Sequence, residues 1–250
     1  MDLWIAVFLP FALLLGRIGA FFSVLPLFNW SLLPVRVRVS LAVLTTIFFA
    51  VVRPVHIDAA QVGWVEAAML LTQEVLHGLA LGLAASLIFL AVQQGGAIMG
   101  MQMGLGDAGI IDPVTSEPSL PVGMFFETAF VLLFLAADGH HLFLMLISKS
   151  YDVFPVGSGL NTAAVAGALV QAGSAMLLLA LKLAAPLLAA FLVLAVVLAI
   201  LARVLPEMNI LLTSFPLRVG LGLFMAAIII PSLDYFTGEI ADWMSKLLAS

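Results

Sequence analysis

Long apolar runs separated by short polar segments dominate the hydropathy pattern of this chain. Six apolar stretches are present, at 3–28, 39–52, 64–92, 122–147, 166–202 and 219–235. About 20 apolar residues in a helix cross a hydrocarbon core of roughly 30 Å with every backbone group hydrogen-bonded internally. The pattern therefore predicts an all-α, polytopic membrane protein with about six hydrophobic helical segments.

The stretches differ widely in length. At about 1.5 Å per residue, 64–92 would run about 43 Å and 166–202 about 55 Å, whereas 39–52 would run about 21 Å. Pro186 predicts a kink in the longest stretch, because proline removes an N–H donor and clashes with the preceding turn. Such unequal segments fit poorly in a simple bundle of upright helices and favour bent hairpins covered partly by protein neighbours. Polar connections are predicted at 29–38, 53–63, 93–121 and 203–218, and an amphipathic helix at 232–250.

The composition supports a membrane protein. The 250 residues are 64% hydrophobic and only 9% charged, with a mean hydropathy of +1.25, whereas soluble domains carry roughly a quarter charged residues. A net charge of −5 argues against nucleic acid as a partner. The absence of cysteine excludes disulfides, cysteine-ligated metals and thiol catalysis. The first apolar run continues past Arg17, so we expect a retained first span and not a cleaved signal peptide.

Motifs for catalysis or cofactor binding are missing from the sequence. It contains neither a phosphate-binding G-x-x-x-x-G-K-[ST] loop nor a G-x-S-x-G elbow. Glu74 and His77, like Asp138 and His141, have the acid–histidine spacing of helical di-metal sites. Gly139 interrupts the second pair, which favours helix packing over metal binding. We therefore predict no catalytic, cofactor-binding or metal-binding residues.

Several ionisable residues lie inside the apolar stretches. A charge left alone in hydrocarbon costs at least about 2.5–3.5 kcal/mol on insertion scales, so these groups must face protein or water. We expect them to pair, with Lys182 opposite Glu74 or Glu127. They could form a proton or ion relay, but their scattered positions favour structural pairs. The intramembrane charges singled out are Arg17, Glu74, Glu127, Asp138 and Lys182.

Glycines spaced four apart indicate close helix–helix contacts. Gly78 and Gly82 form one such pair, and Gly96 and Gly100 begin another that reaches Gly104. Small residues at this spacing let helix backbones approach each other in membranes. We expect Gly78, Gly82, Gly96 and Gly100 to pack against partner subunits.

A segment at about 99–121 alternates methionine with glycine and then loses helical character at Gly104–Gly109. Methionine is unbranched and adapts to irregular contents, and irregular backbone at membrane depth is tolerated only inside protein or beside a water-filled cavity. The segment suits either a movable seal in a conduit or an ordinary surface loop. Its candidate residues are Met99, Met101, Met103, Gly104, Gly106, Asp107, Gly109, Asp112, Pro113, Pro118 and Pro121.

Several motifs along the whole chain resemble the FliR family of flagellar and type III secretion export proteins. They are Arg17-x-Gly19-x-Phe21-Phe22-Ser23 with Pro26, Pro34-x-Arg36-x-Arg38, Gln94-x-Gly96, Gln102-x-Gly104, Asp112-Pro113, Arg203-Val-Leu-Pro-Glu-Met-Asn209, Phe215-Pro216-Leu217-Arg218 and Gly220-x-Gly222. Ser214 stands where family members usually have a glycine. This departure affects the predicted local turn and not the resemblance.

The resemblance implies a single membrane domain without enzymatic activity, packed in a hetero-oligomeric helical assembly. It would be located in the bacterial inner membrane and the flagellar basal body. FliP-type, FliQ-type and FlhB-type proteins would be its partners, and unfolded exported proteins its substrates. It implies a FliP-like part at 1–160 with a channel plug at about 99–121, a FliQ-like hairpin at 161–235 and a tail at 236–250. The loop near the cytoplasmic entrance would contain Arg203, Pro206, Asn209, Phe215, Pro216 and Arg218.

An alternative from another class is a stand-alone secondary transporter or proton channel that uses the intramembrane acids and histidines. The motifs lean towards flagellar export over an injectisome. A transporter should work as a purified monomer or homodimer, whereas an export-gate subunit should be unstable without its partners.

Overall fold

The computed structural model describes residues 2–26, 34–53, 62–105, 121–157, 159, 162–204 and 210–232. Within these ranges the chain forms seven α-helices and no β-strand, which confirms the all-α prediction. A short 3₁₀ helix follows at Ile230–Ser232. The helices are α1 (Asp2–Val24), α2 (Val35–Val52), α3 (Trp64–Gln102), α4 (Pro121–Ala136), α5 (Gly139–Val153), α6 (Thr162–Val204) and α7 (Ile210–Ile229).

Three helices are long and apolar enough to cross a membrane: Val35–Val52, Trp64–Gln102 and Val165–Val204. A fourth span is present if α4 and α5 together count as one broken span. Two shorter apolar helices, Phe8–Val24 and Ser214–Ile229, account for the remaining predicted stretches. The 39 residues of α3 and the 43 of α6 correspond to about 58 and 65 Å, so both exceed the hydrocarbon thickness, as predicted.

The single stretch expected at 122–147 is two helices. The break lies at Asp138, whose φ of 57° places it in the left-handed region. Aspartate tolerates this conformation better than most residues, because its short side chain can hydrogen-bond locally. The sequence marks this break by Gly139, which interrupts the spacing of Asp138 and His141, whereas the apolar pattern runs on through it.

The connection predicted at 203–218 is wrong over most of its length. Arg203 lies in the last turn of α6, where its positive charge complements the negative end of the helix dipole. Phe215, Pro216 and Arg218 lie inside α7. Proline in a membrane helix is tolerated because neighbouring helices and local adjustments satisfy the freed backbone groups.

Two other predicted connections are shorter than expected. Residues 93–102 continue α3 as helix, and Arg36 and Arg38 already belong to the first turn of α2. The helix continues through the Gly96 and Gly100 positions because packing there outweighs their low helix propensity. Pro206, Asn209 and the predicted tail at 236–250 lie outside the described residues.

The described chain divides into two compact units, each made of segments distant in sequence. Unit 1 contains α1, α2, residues 64–87 of α3, α5 from His140 onward and residues 162–173 of α6. In it α1 packs against α2. Edge-to-face contacts join α1 to α5, with 6.0 Å between the ring centroids of Phe21 and Phe143.

Unit 2 contains residues 88–102 of α3, α4, residues 174–204 of α6, and α7 with its 3₁₀ extension. An aromatic cluster forms part of its core. The Phe89 ring lies 5.3 Å from that of Phe130 and 5.4 Å from that of Phe134, both in edge-to-face geometry. The division into FliP-like and FliQ-like parts at 160 stays a prediction.

Candidate functional site

A buried arginine in unit 1 binds the end of a neighbouring helix. Arg17 on α1 is 1% exposed. Its Nη1 donates to the carbonyl oxygen of Phe154 at 2.9 Å and to that of Ser150 at 3.3 Å, while its guanidinium lies 4.4 Å from the ring centroid of Tyr151. The last carbonyls of a helix have no partners within the helix. The carbonyl of Ser150 already accepts the N–H of Phe154, so Arg17 adds a second donor there and supplies one to the carbonyl of Phe154, just past the end of α5.

Glu74 on α3 completes this arrangement. Its Oε2 accepts a hydrogen bond from Nε of Arg17 at 2.6 Å, and both side chains are 1% exposed. Its Oε1 accepts the backbone N–H of Gly157 at 3.1 Å. Gly157 has a φ of +83°, which a glycine adopts without steric cost. We call this set of contacts the α5 clamp. It consists of the side chains of Arg17 and Glu74, the carbonyls of Ser150 and Phe154, and the amide of Gly157.

The clamp is surrounded by further buried polar groups. His77 is 2% exposed, and its ring lies 5.0 Å from that of Phe154. Within the described part of the chain, neither ring nitrogen of His77 nor the hydroxyl of Tyr151 has a hydrogen-bond partner. Sequence reasoning did not foresee that Ser150, Phe154 and Gly157 belong to the site, because they take part through backbone atoms.

Glu74 pairs with Arg17 within unit 1. Pairing of Lys182 with Glu127 stays a prediction. Glu127 is half-buried on α4, whereas Asp138 and Lys182 lie at exposed positions. The carboxylate of Glu74 is held by both an arginine and a backbone N–H. The arrangement around Glu74 thus favours a structural role over a relay.

The glycines of α3 in unit 1 make the expected close helix contact, but within this chain. A Cβ atom built on Gly78 would lie 2.8 Å from the carbonyl carbon of Arg17 and 2.9 Å from Cβ of Ala20. One built on Gly82 would lie 2.8 Å from the carbonyl oxygen of Phe21. Backbone atoms of α1 therefore fill the space beside both glycines, and the predicted packing of these two against partner subunits is replaced by packing on α1.

The same correction applies to Gly96 and Gly100 in unit 2. A Cβ atom on Gly96 would lie 2.9 Å from Cα of Gly123, and one on Gly100 would lie 3.2 Å from Cβ of Val122. Gly123 in turn faces the carbonyl oxygen of Gln93. The start of α4, which begins with Pro121, therefore packs closely against both glycines of α3. Proline favours the first helical position because its missing N–H would have no partner there.

The methionine–glycine segment begins with a defined helix end. The N–H of Leu105 donates to the carbonyl of Gly100 and that of Gly104 to the carbonyl of Met101, both at 3.0 Å. Gly104 has a φ of +78°. This is the Schellman pattern, in which a left-handed residue closes the last turn of a helix. The predicted loss of helical character at Gly104 is therefore confirmed.

The methionines at this helix end differ in environment. Met99 and Met103 are completely buried, whereas Met101 is 60% exposed. Met103 packs against α7, where its side chain fills the space beside Gly222. A Cβ atom on Gly104 would lie 3.8 Å from the ring of Phe215 on the same helix. The remaining predicted plug residues, Gly106, Asp107, Gly109, Asp112, Pro113 and Pro118, lie outside the described residues.

Long apolar helices, buried ion pairing and glycine-mediated backbone contacts together define an all-helical, multi-pass integral membrane protein. The family described as bacterial export proteins, family 1, matches residues 8–243, and the chain belongs to this family. It is 30% identical to the flagellar biosynthetic protein FliR of Pectobacterium carotovorum subsp. carotovorum, over 98% of this chain and 92% of that protein.

Two further relatives carry the same name. The FliR of Escherichia coli (strain K12) is 32% identical over 93% of this chain and 88% of that protein. The FliR of Bacillus subtilis (strain 168) is 29% identical over 90% of this chain and 87% of that protein. The chain is accordingly a multi-pass inner-membrane component of the flagellar export system, which confirms the predicted family and location.

Proposed function

We propose that this chain is a core subunit of the type III flagellar export gate, and that its segment from Met99 to Pro121 seals the channel through which unfolded substrates cross the inner membrane. The observation that carries the sealing role is the helix end at Gly104. There a long apolar helix stops in a fixed turn, and a segment rich in glycine and proline leads on to α4. Proline and glycine are unfavourable in helix interiors.

The exposed apolar surface supports a role inside a larger assembly. Only 17% of the residues of α2 are buried within the chain, and only 28% in an apolar 18-residue window of α6. Exposed side chains of α6 include Leu177, Leu181, Val193 and Val197. Large apolar surfaces of this kind mark contacts with lipid or with other proteins. We propose FliP-type, FliQ-type and FlhB-type subunits as the neighbours, and we assign no catalytic activity or cofactor to the chain.

Deleting Asp107–Ser119 tests the sealing role in cells that contain the whole export apparatus. We expect the subunit to assemble with its partners and the membrane to become permeable to small hydrophilic solutes, because the channel has lost its plug. Uptake of a small solute and co-purification with partner subunits are the two measurements. An unchanged permeability at normal assembly would refute the sealing role.

The matched control is the same deletion in cells without the partner subunits. We expect no leak there, because an unassembled subunit forms no continuous channel. A leak in the absence of partners would instead support the alternative of a stand-alone transporter or channel. The two proposed functions are therefore distinguished by a single pair of strains.

A further inference from the structure

The C-terminal helix α7 offers a complementary surface to the last turn of α3. Met103 is fully buried at the end of α3, and a Cβ atom built on Gly222 would overlap its side chain. That Cβ would lie 2.5 Å from Cγ and 2.8 Å from Sδ of Met103. The methionine therefore fills a depression that exists because residue 222 has no side chain.

A second contact on the same face of α7 supports this arrangement. The ring of Phe215 lies beside Gly104, the residue that follows Met103. Phe215 and Gly222 are seven residues apart, or two turns, so they share one face of α7. A Cβ atom built on Gly104 would lie 3.8 Å from the Phe215 ring, so α7 runs alongside both consecutive residues of the turn that ends α3.

These contacts can fix the direction in which the chain leaves α3. A shift of Met103 would displace this turn and the point at which the chain leaves it. The Cγ of Met103 occupies the space beside Gly222, and rotation about the outer side-chain bonds does not move that atom. A side chain at 222 would therefore displace the helix end or rotate Met103 about its first side-chain bond, which is tightly restricted in a packed core.

We infer that Gly222 is a positioning residue for the channel seal, because it receives the side chain of Met103 and so anchors the start of the 99–121 segment to α7. This inference rests on the proposed sealing function. It assigns a role to a residue that lies outside the predicted plug and outside the predicted entrance loop.

Replacing Gly222 with valine tests the inference in the assembled apparatus. We expect G222V to let small solutes leak across the membrane, approaching the leak of the Asp107–Ser119 deletion measured in parallel. The matched control is G220V on the same helix, because a Cβ at Gly220 meets nothing within 4 Å; it should leave the membrane tight. If the deletion leaks while G222V stays tight, the positioning role is refuted and the sealing function stands. If the deletion itself does not leak, the sealing function fails.

A disulfide test examines the contact even if G222V fails to assemble. The chain has no cysteine, so every thiol in a double-cysteine variant is an introduced one. Because a Cβ at 222 lies 2.5 Å from Cγ of Met103, it lies within bridging range of Cβ of residue 103; disulfides need a Cβ–Cβ separation of about 3.5–4.5 Å. M103C/G222C should therefore lose both maleimide-reactive thiols on mild oxidation and regain them with reductant. M103C/G220C should keep them, and equal oxidation of both variants would overturn the inference.

Discussion

Replacing Glu74 with glutamine removes one charge of the buried ion pair and little else. Glutamine has nearly the same shape and keeps an oxygen that can accept the N–H of Gly157. Arg17 keeps its hydrogen bonds to the carbonyls of Ser150 and Phe154. The substitution therefore isolates the electrostatic part of the α5 clamp, in which Nε of Arg17 lies 2.6 Å from Oε2 of Glu74.

We expect E74Q to lose much of its free energy of unfolding, because the side chains of Arg17 and Glu74 are both 1% exposed. Breaking a buried ion pair from one side costs about 3–5 kcal/mol, since the remaining charge is left without compensation. The carbonyl contacts of Arg17 remain, so we expect the lower end, about 3 kcal/mol. That corresponds to a drop of roughly 150-fold in the ratio of folded to unfolded protein.

Equilibrium unfolding in mixed detergent micelles, with increasing sodium dodecyl sulfate, measures this free energy. The matched control is Asp152→Asn, which breaks the exposed ion pair between Arg53 and Asp152. Exposed pairs contribute little because water and salt screen them, so D152N should unfold like the parent protein. The double variant R17M/E74Q should be less destabilised than E74Q, because it leaves no buried charge uncompensated.

Two results would refute the reasoning about the clamp. If E74Q unfolded at the same detergent fraction as D152N, burial would not be strengthening the interaction between Arg17 and Glu74. If the loss of unfolding free energy in R17M/E74Q equalled the sum of the losses in R17M and in E74Q, the two side chains would be acting independently. Either outcome would remove the clamp as a unit of the fold.

Other predictions concern glycines. Gly78→Ala should lower the free energy of unfolding by about 1–3 kcal/mol, because its Cβ would meet backbone atoms of Arg17. Gly167→Ala is the control and should not lower it, because a Cβ there meets nothing within 4 Å. Equal effects of the two substitutions in the same unfolding assay would contradict the close contact at Gly78. Gly157→Ala should cost about 1–2 kcal/mol, because alanine is strained at a φ of +83°. Gly157→Asn should cost less in that assay, and an equal or larger cost would argue against a left-handed Gly157.

The sequence was most informative where one residue type has one dominant physical meaning. The glycines that follow the methionine–glycine alternation predicted a loss of helical character at Gly104–Gly109, and the structure has a Schellman turn at Gly104. The spacing of Gly78 and Gly82 predicted a close helix contact, which α1 provides. Local chemistry decides such features, so a single sequence reveals them.

Features that depend on distant residues were not predictable in the same way. The partners of Arg17 are backbone carbonyls 133 and 137 residues away, and no pattern in the sequence marks a carbonyl as an acceptor. Pro216 falls within the predicted connection at 203–218 but lies inside α7, because packing and the membrane environment outweigh the intrinsic preference of proline. Whether Gly78 faces lipid, a partner or its own chain is likewise decided by tertiary structure.

The interleaving of segments in unit 1 has a consequence for how the protein is made. Arg17 is synthesised 57 residues before Glu74 and 133 before Ser150. At about 5–20 residues per second, its ion-pair partner follows after roughly 3–11 s and the end of α5 after roughly 7–27 s. During this interval the guanidinium must stay in contact with water, lipid headgroups or the insertion machinery. Translation of α5 is therefore the step at which the first helix can settle into its final place.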